Sequence, residues 1–170
     1  VIELIEESKV RSIKHTVEEN SQVLERVVDS IVQKYNKELD EEVEKIKLLL
    51  DDKTTLDDSE IEHLVMRIPV FMYYASNGIE TLGVESDMAK AVKLDIYNQR
   101  YMESSGTIKD KEANASYLTL NESMIEIAFQ RAYKKLKTKL EMAEHVFSGA
   151  KKVLTKRMQD TEMVIKDKYN

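Results

Sequence analysis

The 170-residue chain contains no cysteine and no tryptophan, and only one proline and four glycines. The missing cysteine excludes disulfides, thiolate metal sites, iron–sulfur clusters and cysteine nucleophiles together, and suits a reducing compartment. So little glycine and proline leaves almost no vocabulary for tight turns, which excludes sandwiches, barrels and propellers. No apolar run approaches the roughly 18 residues of a membrane span. Residues 1–20 carry Glu3, Glu6 and Glu7 where an export signal needs a cationic and then apolar start. A non-membrane, cytoplasmic chain is the expectation. It opens on Val1 rather than methionine, so its natural start is expected upstream.

What remains is charge, at 34% of residues, and helical periodicity. Apolar residues at Val10, Ile13, Val17, Leu24, Val27 and Ile31 recur in steps of three, four and seven, which is a heptad seam. The seam slips near Tyr35 and resumes at Leu39, Val43, Ile46 and Leu50. So narrow a stripe wants a partner helix. Asp57 and Glu60 have the spacing of a capping box, with Leu56 placed to staple against Ile61. The helix they open is expected to kink at Pro69 and to fade at Asn77–Gly78 or Gly83, with Ser86 capping a third helix that ends near Ser105–Gly106. The best turn of the chain follows at Gly106–Lys111, after which helical periodicity runs to about Lys166. The expected fold is all-α: long helices in a hairpin or bundle with an N-terminal coiled-coil-like helix. Residues 1–53 form an acidic oligomerisation arm and residues 54–170 a helical core.

The net charge of −6 hides a segregation along the chain. Residues 1–60 hold 17 acids and 9 bases, whereas residues 121–170 hold 7 acids and 11 bases. Between Arg131 and Arg157 nine cations face only Glu141 and Glu144. On a helical wheel Ala132, Leu136, Leu140, Ala143, Phe147, Ala150 and Leu154 make one apolar stripe. Opposite stand Arg131, Lys134, His145, Lys152 and Lys156, with Lys135 and Lys137 at the borders. An ordinary solvated face intersperses Glu with Lys, because like charges at i,i+4 repel. A row of one sign points to an anionic partner, and phosphates are the commonest long one.

Residues 86–105 repeat the idea in less space. Met88, Ala91, Val92 and Met102 form the apolar arc, and Lys90, Lys93, Tyr97 and Arg100 are expected on the opposite, exposed face, with Tyr101 at its edge. Cations interleaved with an aromatic supply what a single strand needs: charge for phosphates and a ring for bases to stack on. Tyrosines equally pack their rings in cores with the hydroxyl at the rim. Catalytic and metal motifs are missing. Glu60-Ile-Glu-His63 is a single E-x-x-H where a helical di-iron site needs two. His15, His63 and His145 are scattered, and no phosphate-cradling glycine cluster or nucleophile elbow occurs. The reading is non-enzymatic, without cofactor or metal.

The order of features resembles the UvsY-type recombination mediators of tailed phages over roughly residues 57–158. The likeness is carried by Tyr74-Ala75-x-Asn77-Gly78, then Lys90-Ala91-Val92-Lys93-Leu94-Asp95-Ile96-Tyr97, the Tyr101–Gly106 turn, Lys111, and the basic helix ending Lys151-Lys152 and Lys156-Arg157. The resemblance implies an all-helical, ring-forming homo-oligomer in the host cell cytoplasm. Such a protein binds single-stranded DNA and helps a RecA-like recombinase displace single-strand-binding protein. It also implies that Lys90 and Lys93, next to Leu94-Asp95-Ile96-Tyr97, take part in strand binding. The expected strand-binding residues are therefore Lys90, Lys93, Tyr97, Arg100, Arg131, Lys134, Lys135, Lys152 and Lys156. The competing reading is an oligomeric structural or adaptor protein, such as a phage scaffolding or assembly factor. There the basic helix would dock on a neighbour's acidic arm. A third combines the two, with the acidic arm competing against DNA for the basic face.

Overall fold

The computed structural model describes residues 2–52 and 57–169, and the side chains of 15–47 and 57–165. The described chain is all-α, with four helices: α1 (Ile2–Asp52), α2 (Asp58–Glu103), α3 (Ile108–Leu118) and α4 (Leu120–Tyr169). It divides into two units. One takes Val1–Gln33 and Leu82–Tyr133, the other Lys34–Thr81 and Lys134–Asn170.

In the unit Lys34–Thr81 with Lys134–Asn170, three helices share one core. Leu39 and Ile46 of α1, Ile61, Leu64, Ile68 and Ala75 of α2, and Leu136, Leu140 and Ala143 of α4 are buried. Removing an aliphatic side chain such as Ile68 or Leu136 from water stabilises by about 1.5–3 kcal/mol. Each pair of helices is also linked by charge. Arg67 lies 3.3 Å from the buried Glu42, Lys139 pairs with Asp40, and Arg157 donates to Asp58 at 2.7 Å. The start of α2 is the expected capping box: the Glu60 amide donates to Asp57 Oδ1 at 2.8 Å and the Asp57 amide to Glu60 Oε2 at 2.9 Å. The Leu56 staple lies outside the described residues.

The expected break at Asn77–Gly78 or Gly83, with a new helix capped by Ser86, does not occur. α2 continues through Pro69 and both glycines as one helix of 46 residues. Gly78 serves close approach instead of chain reversal. A Cβ there would stand 2.5 Å from Cβ and Cγ of Tyr35, so only glycine lets α1 and α2 come together.

In the unit Val1–Gln33 with Leu82–Tyr133 the core is thinner and relies on small residues. Leu82, Ala115, Ala128 and Ala132 are buried, together with Val28 and Val32 of α1. α2 and α4 run antiparallel here, with Lys93 bonded to Glu126 at 2.8 Å and Gly83 in van der Waals range of Tyr133. The turn expected at Gly106 is present. Gly106 adopts φ of 112°, and Thr107 caps α3 in a capping box with Asp110. Asn114 Nδ2 donates to Ser104 Oγ at 2.8 Å and fastens α3 to the end of α2.

The single long last helix expected from the sequence is in fact two, separated at the buried Thr119. Its φ and ψ of −109° and 19° leave the helical region, and its Oγ1 donates back to the Ala115 carbonyl at 2.9 Å. A hydroxyl that satisfies its own backbone offers the chain an alternative to the helical ladder. The α1 seam is also shifted. The inward stripe is Val28, Val32, Asn36, Leu39 and Ile46, while Val17 and Val27 of the expected seam are exposed.

Candidate nucleic-acid interface

The strand-binding residues expected from sequence fall into two groups. Lys90, Lys93, Tyr97, Arg100 and Arg131 lie in the unit built on Leu82–Tyr133. Lys134, Lys135, Lys152 and Lys156 lie in the unit built on Lys134–Asn170.

In the first group the wheel of residues 86–105 holds only in part: Lys90 and Arg100 are exposed as expected, but Lys93 and Tyr97 are half-buried and the apolar arc faces outward. Met88 is 58% exposed and Met102 80%, and Ala91 and Val92 are also exposed, although the wheel puts all four on the inward arc. The half-buried residues of this stretch are Ser86, Ala89, Lys93, Ile96, Tyr97 and Tyr101. The reason is electrostatic as much as apolar. Glu126 is buried on α4, and the ammonium of Lys93 pairs with it at 2.8 Å. Glu126 also accepts from Gln130 Nε2 at 3.0 Å.

Tyr97 and Tyr101 stack on one another, ring centroids 6.4 Å apart and planes 22° from parallel, one helical turn apart. Lys111 stands over the Tyr101 ring at 5.9 Å. Arg100 is exposed but bonded to Glu103 at 3.0 Å. Only Lys90 and Arg131 of this group are exposed and outside any ion pair among the described residues. The exposed Tyr–cation face expected on α2 is thus largely turned into internal contacts.

The basic stretch of α4 behaves as the wheel anticipates. Ala132, Leu136, Leu140 and Ala143 are buried, and Phe147, Ala150 and Leu154 are half-buried. Lys134, Lys152 and Lys156 are exposed, as are Lys137 and Lys151, and none of the five joins an ion pair among the described residues. Lys135 is half-buried and engaged. Lys139 and Arg157 are taken up by Asp40 and Asp58. Sequence reasoning misses those two pairs because each acid sits on another helix, far away in the chain. An expectation of i,i+4 pairing cannot find them.

Among the described residues no three His, Asp or Glu side chains gather where they could hold a metal ion. No described helix is long and apolar enough to cross a membrane. What the α4 face offers chemically is a row of exposed ammonium donors on one helix. Compared with protein families, curated proteins and solved structures, the chain matches none.

Proposed function

We propose that the protein is a non-enzymatic, self-associating helical protein that binds single-stranded DNA along α4. In this reading it acts as a recombination mediator, helping a RecA-like recombinase replace single-strand-binding protein. The observation that carries the proposal is the set Lys134, Lys137, Lys151, Lys152 and Lys156, exposed and outside ion pairs among the described residues. They span about 33 Å of helix at 1.5 Å per residue, a length suited to a strand and not to a single small anion. Five phosphate contacts imply a log–log salt slope near −3.5, at about −0.7 per contact on a single strand.

The test is anisotropy of a labelled single strand across salt concentrations. Lys152→Ala with Lys156→Ala should reduce the slope by about 1.4 and weaken binding uniformly across sequences, since phosphates carry no sequence information. A flat salt response in the unsubstituted protein overturns the reading. It would favour the alternative, an oligomeric structural or adaptor protein of the scaffolding or assembly kind. One observation supports that alternative independently: Met66, Val70, Tyr73 and Tyr74 lie exposed on one stretch of α2, and apolar patches of this kind mark protein contacts.

A further inference from the structure

Within the unit Lys34–Thr81 with Lys134–Asn170, α2 carries two seams. Ile61, Leu64, Ile68 and Ala75 make the inner one and are buried in the core. On the other side of the helix a second row, His63, Met66, Val70, Tyr73, Asn77 and Glu80, recurs in alternating steps of three and four, and all six are exposed. That spacing keeps side chains on one line of contact when two helices wind around each other. Met66, Val70 and Tyr73 are each at least half exposed, and so is Tyr74, whose ring stands edge-on to Tyr73 with 5.7 Å between centroids. A helix face meant for water alone carries charged and polar residues, which three successive positions of this row do not.

The row is complementary to itself when turned end for end. Its apolar centre is Val70 and Tyr73, with Met66 before and Asn77 after, and it ends in a histidine at 63 and an acid at 80. A two-fold axis between Val70 and Tyr73 sets Val70 against Tyr73, Met66 against Asn77 and His63 against Glu80 of a second copy. Neither His63 nor Glu80 joins an ion pair among the described residues, so both are open to a contact in which the imidazole N–H donates to the carboxylate. We infer that this outer face of α2 is a self-association surface on which α2 of a second copy packs antiparallel, with His63 meeting Glu80.

Charge selects the antiparallel arrangement. Packed parallel, the same row would bring Glu80 against Glu80 and His63 against His63, and like charges facing each other across a seam repel. Area is sufficient as well. Covering Met66, Val70, Tyr73 and Tyr74 on both copies removes on the order of 1,000 Å² from water, about what a specific interface requires. The inference rests on the self-association common to both readings above and names the surface that would carry it.

Because the chain has no cysteine, single engineered thiols report the contact without background. Met66→Cys chains mixed with Asn77→Cys chains should form a mixed disulfide dimer under mild oxidation, and neither variant alone should crosslink comparably. Met66→Cys chains crosslinking to one another instead would show parallel packing and overturn the inference. Sedimentation gives an independent readout. His63→Glu and Glu80→Lys should each weaken association several-fold, since each alone sets two acids or two bases together. Mixed in equal amounts, the two variants should associate again, because every contact then joins an acid to a base. Tyr73→Glu should weaken association about tenfold or more with helicity retained, as expected of a central apolar contact. If the unsubstituted protein sediments as monomer at tens of micromolar, self-association and this surface fail together. If oligomers persist in Tyr73→Glu and no mixed disulfide forms, or if the mixed charge variants associate no better than either alone, only the surface is wrong.

Discussion

Lys93 of α2 donates to Glu126 of α4 at 2.8 Å, joining a half-exposed ammonium to a carboxylate side chain only 11% exposed. The asymmetry decides what the pair does. Lys93 can reach water without Glu126, but Glu126 cannot easily do without Lys93. Lys93→Ala should therefore lower stability by about 1–3 kcal/mol, the range for leaving a buried polar group short of a partner. Lys90→Ala, at a side chain exposed and outside ion pairs among the described residues, should stay within about 0.5 kcal/mol. Urea denaturation followed by circular dichroism compares them. Equal midpoints would show that the pair is not structural and would return Lys93 to the strand-binding set on an equal footing with Lys90.

The glycines of α2 and α4 make opposite predictions. A methyl group added at Gly149 would meet nothing within 4 Å, so Gly149→Ala should raise stability by about 0.5–1 kcal/mol through helix propensity. Gly78→Ala would drive its methyl into Tyr35 and should cost about 1–3 kcal/mol as α1 and α2 are forced apart. In a Tyr35→Ala background much of that penalty should vanish, a coupling that a double-mutant cycle measures. Additive effects would show that Gly78 is present for some reason other than Tyr35.

Much of the fold is legible in the sequence wherever its cause is local. The Asp57–Glu60 box, the turn at Gly106 and the α4 stripe Ala132–Leu136–Leu140–Ala143 all depend on neighbours within a few positions. The departures share the opposite property. Gly78 and Gly83 resemble helix ends until Tyr35 and Tyr133, distant in sequence, are seen beside them. The inward face of α2 near Lys93 escapes a helical wheel, which weighs hydrophobicity and cannot know that a buried acid on α4 waits for a cation. For the same reason Lys139 and Arg157 look like free charge in the sequence, although Asp40 and Asp58 hold them.

The N-terminus of α3 carries a local pH dependence. The Thr107 hydroxyl, and then the Thr107 amide, hydrogen-bond the Asp110 carboxylate and hold its pKa below the ordinary value. A group whose folded pKa is lowered adds stability above its unfolded pKa and loses it as pH falls through the folded one. Amide protection at the start of α3 should therefore be constant from neutrality to about pH 4 and decline below it. Thr107→Val should move the Asp110 titration, followed by carboxyl NMR shifts, upward toward the ordinary range. An unmoved titration would remove Thr107 as the cause.

On α1 and α4, acid is set directly against base. Asp40 accepts from Lys139 and also from Asn36 Nδ2, the latter at 2.7 Å, inside the unit Lys34–Thr81 with Lys134–Asn170. Asp40 is partly exposed, so the ion pair is accessible to competition by a phosphate. Asp40→Asn keeps an oxygen for the Asn36 amide while removing the charge that holds Lys139. If strand binding runs along α4, the released ammonium should join it. Affinity at low salt should rise and the salt slope should steepen by about 0.7, the increment of one added phosphate contact. The gain should shrink as salt increases, because both the lost competitor and the new contact are electrostatic. Helicity and melting midpoint recorded on the same sample separate this from a general loosening of the core, which would lower both. Higher affinity with an unchanged slope would mean that Lys139 stays out of the strand's path. Asp40 would then act through the arrangement of α1 and α4, and the idea of an acidic helix competing with DNA for this lysine would fail.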